Sequence, residues 1–484
     1  MKLLAFLFLL FFSSLAFSQN QGNIWYFGNG AGIDFNSGIP IALINGQTYN
    51  ANGHSEGTAV ICDSSGSLLF YTNGEKVWNK NHQIMPNGSG LLGHSSSTQS
   101  SLIVPLPGSD NIFYLFTTDS WYINSLVNGF RYSKIDMCLD NQLGDVIAGE
   151  KNILLLDTVS EKLTVVKHSN GIDYWVITHK YFSDKFYAYK LTSSGITDTV
   201  ISAIGSIHED NCPPPSPAPT RAAIGYMKAS PNGAQLALVC VNTCDNLKEL
   251  FDFNNASGIV SNFIDMELLT DTFGGYGVTF SPDNSKLYFT DTKNVFQYNL
   301  NAGGGNPDSI RNSKTQVSSF TSFTNDASLA LQIGPDGKIY VARANKPFLA
   351  AINNPNQLGL ACNFVDSVIS LNGEMCSMGL PNLIDSYNYH NKMVQCNLGI
   401  NDNNFGTQII IYPNPSSGIF TLQSEQEITS IEIYNTLGEN ISPLSFRRGV
   451  GGEVEIDLSK EAKGIYFVKV QSGDKISTQK IIIE

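Results

Sequence analysis

Along most of the chain, short apolar runs alternate with tight-turn dipeptides, and helical spacing never persists for long. The stretch from Glu56 to Asn81, EGTAVICDSSGSLLFYTNGEKVWNKN, shows the unit most clearly. It holds an apolar run, a Ser-Gly turn, a run ending in Phe70-Tyr71, an Asn-Gly turn and a third run around Val77-Trp78. That is a three-strand meander. Six turn dipeptides mark its recurrence: Ser65-Gly66, Asp110-Asn111, Asn170-Gly171, Asn232-Gly233, Asp283-Asn284 and Asp336-Gly337. Each separates two apolar runs, as in LTVVKH/DYWVITH and YGVTFS/KLYFTD, and such pairs read as β-hairpins. The second residues of the dipeptides lie 45, 60, 62, 51 and 53 apart. A repeat of roughly 50 residues predicts a propeller or a solenoid, with insertions in its outer loops.

A seventh unit is split between the ends of the repeat region. IWYFGNGAGIDFN (24–36) aligns with LFYTNGEKVWN and so supplies a second and third strand without a first. SMGLPNLIDSY (377–387) offers a first strand without partners. Joining them closes a ring and removes the open sheet edges that invite aggregation. The expectation is an all-β, seven-bladed β-propeller over residues 19–396, its last blade closed by the N-terminal strands. NCPPPSPAPTR (211–221) reads as an inter-blade loop, since proline cannot enter a ladder.

After Cys396 the pattern changes. NLGINDNNFGT (397–407) is a polar linker. Beyond it, Val454, Ile456 and Leu458 alternate with Glu453, Glu455 and Asp457, the mark of a half-buried strand. Several short strands in residues 408–484 predict a small Ig-like β-sandwich.

The turns Ser-Pro-Asn-Gly (230–233), Ser-Pro-Asp-Asn (281–284) and Gly-Pro-Asp-Gly (334–337) resemble those of TolB-type and WD-repeat-like propellers. That resemblance implies a fold and no chemistry. The N-terminal part, from NIWYFGNGAGIDF to LLGHSSSTQSSLIVP, is similar to a recurrent family of exported surface propellers. The C-terminal part resembles the type A sorting domain of type IX secretion. Tyr412-Pro413-Asn414-Pro415 with Gly418, Ile433-Tyr434-Asn435 with Gly438, Gly464-Ile465-Tyr466-Phe467-Val468 and a terminal strand bearing Lys480 carry the likeness. It implies that an outer-membrane translocon and attachment machinery read residues 408–484, for release or surface attachment. The ending Ile481-Ile482-Ile483-Glu484 departs from the basic or neutral finish common in that family.

The other end gives a matching address. Lys2, the apolar run Leu3–Phe12, and Ala16 and Ser18 at −3 and −1 predict a signal peptide over 1–18. No later segment is apolar enough to cross a bilayer. A net charge of −13 argues against nucleic acid as a partner. Eight cysteines in an exported chain permit disulfides, with no pairing fixed.

Candidate chemistry is sparse. Gly53-His54-Ser55-Glu56-Gly57 matches G-x-S-x-G, but a polar loop precedes it and a strand follows, where a nucleophile elbow needs a strand and then a helix. No histidine spacing, Asp-rich loop or cysteine pair points to a metal or other cofactor, so none is expected. Counting back about 10–12 residues from each repeat turn reaches the loops at one channel mouth. There stand Glu56, Gln99, Glu161 with Lys162, Arg221, Tyr276 and Asp326, with Glu374 by analogy. Unrelated residue types at equivalent positions make this ring the expected ligand face. Two functions stay open. One is a surface or secreted scaffold binding glycan or protein, without catalysis. The other is an extracellular hydrolase or lyase acting on polysaccharide, with Glu56 and Asp326 as paired carboxylates.

Overall fold

The computed structural model describes residues 20–48, 55–209, 221–241, 247–266, 275–291, 293–318, 328–386, 389, 394, 396, 410–424, 428–441, 445–448, 453–472 and 475–484. The expected signal peptide, the linker 397–407, Asp326, His54 and most of the proline-rich stretch lie outside these residues. The chain divides into two compact units between Cys396 and Asn397.

Among the described residues the first unit forms seven antiparallel sheets that follow one another in chain order. Five are four-stranded meanders, the third sheet has a fifth strand, and the first has three. The described α-helices are two short ones, Trp121–Asn124 and Pro307–Asn312. Every turn dipeptide named above joins the first and second strands of a sheet; Asn232-Gly233, for example, links Met227–Ala229 to Gln235–Val239. These turns need a left-handed residue. Gly66, Gly171, Gly233 and Gly337 take φ of +88°, +74°, +70° and +76°, and Asn284 takes +62°. The Ser-Pro turns carry a second lock. Ser230 Oγ accepts from the amides of Ala234 and Gln235, and Ser281 Oγ from those of Ser285 and Lys286.

The first strands Ala59–Cys62, Ser101–Pro105, Val159–Lys167, Met227–Ala229 and Val278–Phe280 are buried throughout and line the middle of the unit. Closure is visible in the aromatic core. Tyr26 of the first sheet meets Tyr71 of the second, with ring centroids 4.6 Å apart, and Trp25 meets Tyr340 of the seventh at 5.6 Å. The first sheet thus stands between the second and the seventh, and the sheets close into a propeller.

The segment expected to be the missing first strand behaves differently. Of the expected 377–387, the described residues 377–386 form no ladder. They and the adjoining Met375 make isolated bridges, Asn29 with Met375 and Thr58 with Pro381, and the amide of Ala330 donates to Met378 O at 3.2 Å. The reason lies in two residues. Pro381 has no N–H to give, and Gly379 sits so near the second sheet that a Cβ would fall 1.6 Å from Glu56 O. Leu383 nonetheless shares one buried core with Trp25.

Cys138 and Cys396 form a disulfide with Cα atoms 5.2 Å apart. Cys62, Cys240, Cys362 and Cys376 are buried thiols, and Cys212 and Cys244 lie outside the described residues.

The second unit has two sheets. One is ordered Ile410–Tyr412, Ile419–Gln423, Glu453–Asp457, Ser445–Arg448; the other Ser430–Asn435, Gly464–Ser472, Lys475–Ile483. Phe420, Leu422 and Ile456 from one sheet and Ile433, Val468 and Ile481 from the other fill a shared core, which makes it a β-sandwich.

Candidate functional site

The structure brings three of the expected mouth residues together and buries them. Glu56 precedes the first strand of the second sheet, Glu161 lies in that of the fourth, and Tyr276 precedes that of the sixth. Tyr276 Oη donates to Glu56 Oε2 at 2.6 Å and Ser96 Oγ to Glu56 Oε1 at 3.0 Å. Glu161 accepts from the amide and hydroxyl of Thr98, at 2.8 and 2.6 Å, and from the amide of Trp121 at 2.8 Å. Burial and the neighbouring Glu161 carboxyl push Glu56 up to about 8, against the pull of Tyr276, Ser96 and the Arg221 charge. Burial also raises Glu161, although its hydrogen bonds and Lys162 oppose it. Lys162 is itself buried and donates to the carbonyls of Ala222 and Ala223. Arg221 is exposed, and its backbone bridges to Val241.

Gln99 sits deeper, with no exposed surface. Its amide bonds to the backbone of the two sheets across from it. Nε2 donates to Leu163 O and Met227 O, and Oε1 accepts from the amides of the same two residues. Asn382 continues the network, donating to Ser101 O and Leu163 O. Lys228 Nζ then links Gln332, Asn382 and Asp385 at 2.7, 3.3 and 3.0 Å. The closing segment therefore fills the middle of the propeller with a polar network. The ring expected to present donors to a ligand is, at Glu56, Gln99, Glu161 and Tyr276, a set of buried internal partners. Ser55 is also buried, and the residues after it run into a strand.

The opposite face, which carries the hairpin turns, is concave. A cavity of about 250 Å³ lies between the fourth and fifth sheets, lined by Lys167, His168, Ser230, Asn232, Asn255 and Ser386, among others. A second, of about 640 Å³, shares Asn232 and Asn255 and adds Asp252, Asn254, Ser261 and Asn284. Across the two cavities, three successive repeat turns contribute, through Gly171, Asn232 and Asn284. Asn284 Oδ1 accepts from the amide of Asn232 at 2.9 Å, so the turns of the fifth and sixth sheets are fixed together. The sequence reading treated these turns as geometry alone. The signal available was their run of Asn and Ser, more polar than a turn requires. Among the described residues, no group of His, Cys, Asp and Glu could hold a metal ion.

In the second unit the motif residues knit the first strand to the last. Asn414 Oδ1 accepts from the amide of Ile482 at 2.9 Å and its Nδ2 donates to Lys480 O at 2.8 Å. The peptides before Pro413 and Pro415 are both cis. Gly418, at φ +105°, packs so close to Ser459 that a Cβ would lie 2.6 Å from its Cα. Gly438 closes a turn at φ +81°, and Gly464 opens the strand Gly464–Ser472. Tyr466 is buried and donates to Ala462 O at 2.7 Å, while Tyr412 and Lys480 are exposed. Residues 410–484 match the family model of the secretion system C-terminal sorting domain. The protein is a cargo of type IX secretion. Its destination is the cell surface or the extracellular space. No curated protein matches the chain.

Solved structures similar to the chain are propellers and other remote matches. A putative 6-phosphogluconolactonase from Bacteroides fragilis is 11% identical, covers 74% of this chain and 97% of its own, and gives a TM-score of 0.42. The Dos1 propeller is 13% identical over 66% and 72%, at 0.36. A virginiamycin B lyase from Staphylococcus aureus is 10% identical over 65% and 83%, at 0.34.

Proposed function

We propose that the exported propeller is a binding protein that seats a polar, carbohydrate-like ligand in the turn-face cleft between the fourth and fifth sheets. The observation that carries this reading is the pair of adjoining cavities lined by asparagine, serine and aspartate side chains. Such groups match sugar hydroxyls in both donor and acceptor roles. Glycan-array binding of the mature chain tests it. Asn255→Ala and Asp252→Ala should each weaken binding about fivefold, the loss of one hydrogen bond. Arg221→Ala, on the opposite mouth, should leave affinity unchanged. Loss of binding in Arg221→Ala with none in the cleft variants would return the ligand to that mouth.

An extracellular enzyme acting on polysaccharide at the Glu56 mouth is the second reading. Its support is the elevated Glu56, since a carboxyl protonated near neutral pH suits a general acid. Release of reducing ends from a polysaccharide, abolished in Glu56→Gln, is the outcome that would favour it.

A further inference from the structure

The smaller cavity contains a lysine in an unusual setting. Lys167 ends the inner strand Val159–Lys167, at the point where the chain turns toward Asn170-Gly171. Its side chain is 8% exposed, yet it lines the cavity of about 250 Å³. The amine lies 4.4 Å from the centroid of the Tyr174 ring and donates to Tyr174 Oη at 3.1 Å. Asp173, whose carboxylate is 3.7 Å from Lys190, also acts on it. Burial against an aromatic ring takes water from an ammonium and so disfavours its charged form.

We infer that Lys167 is a reactive amine that holds carbonyl ligands, such as the open-chain aldehyde of a reducing sugar, as a reversible imine. The site rests on the cleft reading above and names the ligand chemistry within it. The nitrogen lone pair attacks the aldehyde carbon, a C–N bond forms, and the nitrogen proton passes to the former carbonyl oxygen. The C–O bond then breaks as the oxygen takes a second proton and leaves as water, and the remaining nitrogen proton returns, through solvent, to the acid that supplied it. The Tyr174 hydroxyl, 3.1 Å from the nitrogen, is placed to supply a proton to the departing oxygen. Ser230, Asn232 and Ser386 line the same cavity and offer partners for the remaining hydroxyls. Burial supports the chemistry independently, because it pushes the Lys167 amine down to about 7. Roughly half the amine is then neutral at pH 7, against about one part in 2,500 for an exposed lysine.

The test uses the mature chain with D-glyceraldehyde and cyanoborohydride, which reduces an imine to a stable amine, followed by peptide mass mapping. At neutral pH, Lys167 should be labelled about tenfold or more above the exposed Lys80 and Lys185. Its labelling should level off above pH about 8, where exposed amines continue to gain. Lys167→Met should lose that adduct alone. Labelling of Lys167 no faster than Lys80 overturns the inference. A parallel titration with methyl glycosides, which bear no free aldehyde, separates the two readings. Glycoside binding without labelling leaves the cleft standing and removes the amine chemistry. Labelling without glycoside binding does the reverse.

Discussion

Gln99 shows how much one side chain does at the centre of this propeller. Its amide imitates a strand's edge, taking both N–H groups and both carbonyls of Leu163 and Met227. Gln99→Ala strands three buried backbone groups, since Leu163 O keeps its bond from Asn382, so a loss of about 3 kcal/mol or more is expected in urea denaturation. A loss below about 1 kcal/mol would mean that water or a neighbour replaces the amide. Glu56 makes a different prediction, about pH. Its folded value of about 8 lies above its ordinary 4.5, so folding takes up a proton between these limits. Its contribution is full below pH about 4.5 and is lost as pH rises through about 8. Glu161, Glu249 and Asp385 are shifted the same way by burial and add to the decline. Lys167 acts oppositely, but only above about pH 7. Glu56→Gln keeps a neutral group in place, so stability at pH about 6 should change by about 1 kcal/mol or less. The fall in stability between pH about 5 and about 8 should become shallower. An unchanged slope would show that Glu56 is ionised throughout.

At the scale of elements, what was legible in the sequence was whatever the backbone alone decides. Five of the six hairpins announced themselves because their turn dipeptides hold Gly or Asn at positive φ, and alternating Val454, Ile456 and Leu458 announced a half-buried strand. What was not legible depended on partners distant in the chain. The closing stretch 377–387 looked like a strand, but Gly379 and Pro381 meet the second sheet in ways local pattern does not reveal. The buried state of Glu56 and Gln99 likewise comes from Tyr276, 220 positions away, and from Met227, 128 away. Polar residues facing a channel and polar residues facing each other have the same sequence. The Cys138–Cys396 pairing could not be read from eight cysteines, yet it bears directly on closure. A closing segment held by isolated bridges gains from a covalent tie, and this one spans 258 residues. On a chain-entropy basis such a bond contributes about 5 kcal/mol. Cys138→Ser and Cys396→Ser should therefore lower stability by several kcal/mol each, and the double variant by no more than either one. Denaturant midpoints equal to that of the native protein would show that the polar network closes the ring unaided.

At the scale of the whole molecule, the address and the propeller are built as separate cores. Among the described residues, the buried clusters of the propeller draw on none beyond Cys396, and that of the sandwich draws on none before Ile411. Removing residues 410–484 leaves every residue of the propeller's buried clusters in the chain, and it spares the disulfide, whose second cysteine is Cys396. Folding and export should then come apart. The shortened protein is expected to keep its urea midpoint within about 0.5 kcal/mol and its protease resistance, because the propeller keeps its own core residues. It should also remain in the periplasm with the Cys138–Cys396 bond oxidised, since the element matching the secretion sorting family is gone. Fractionation with a thiol-labelling assay reads both outcomes in one preparation. A shortened protein that unfolds early would show that the sandwich supports the propeller. One that stays folded yet reaches the medium would show that a signal before residue 410 suffices for the last membrane.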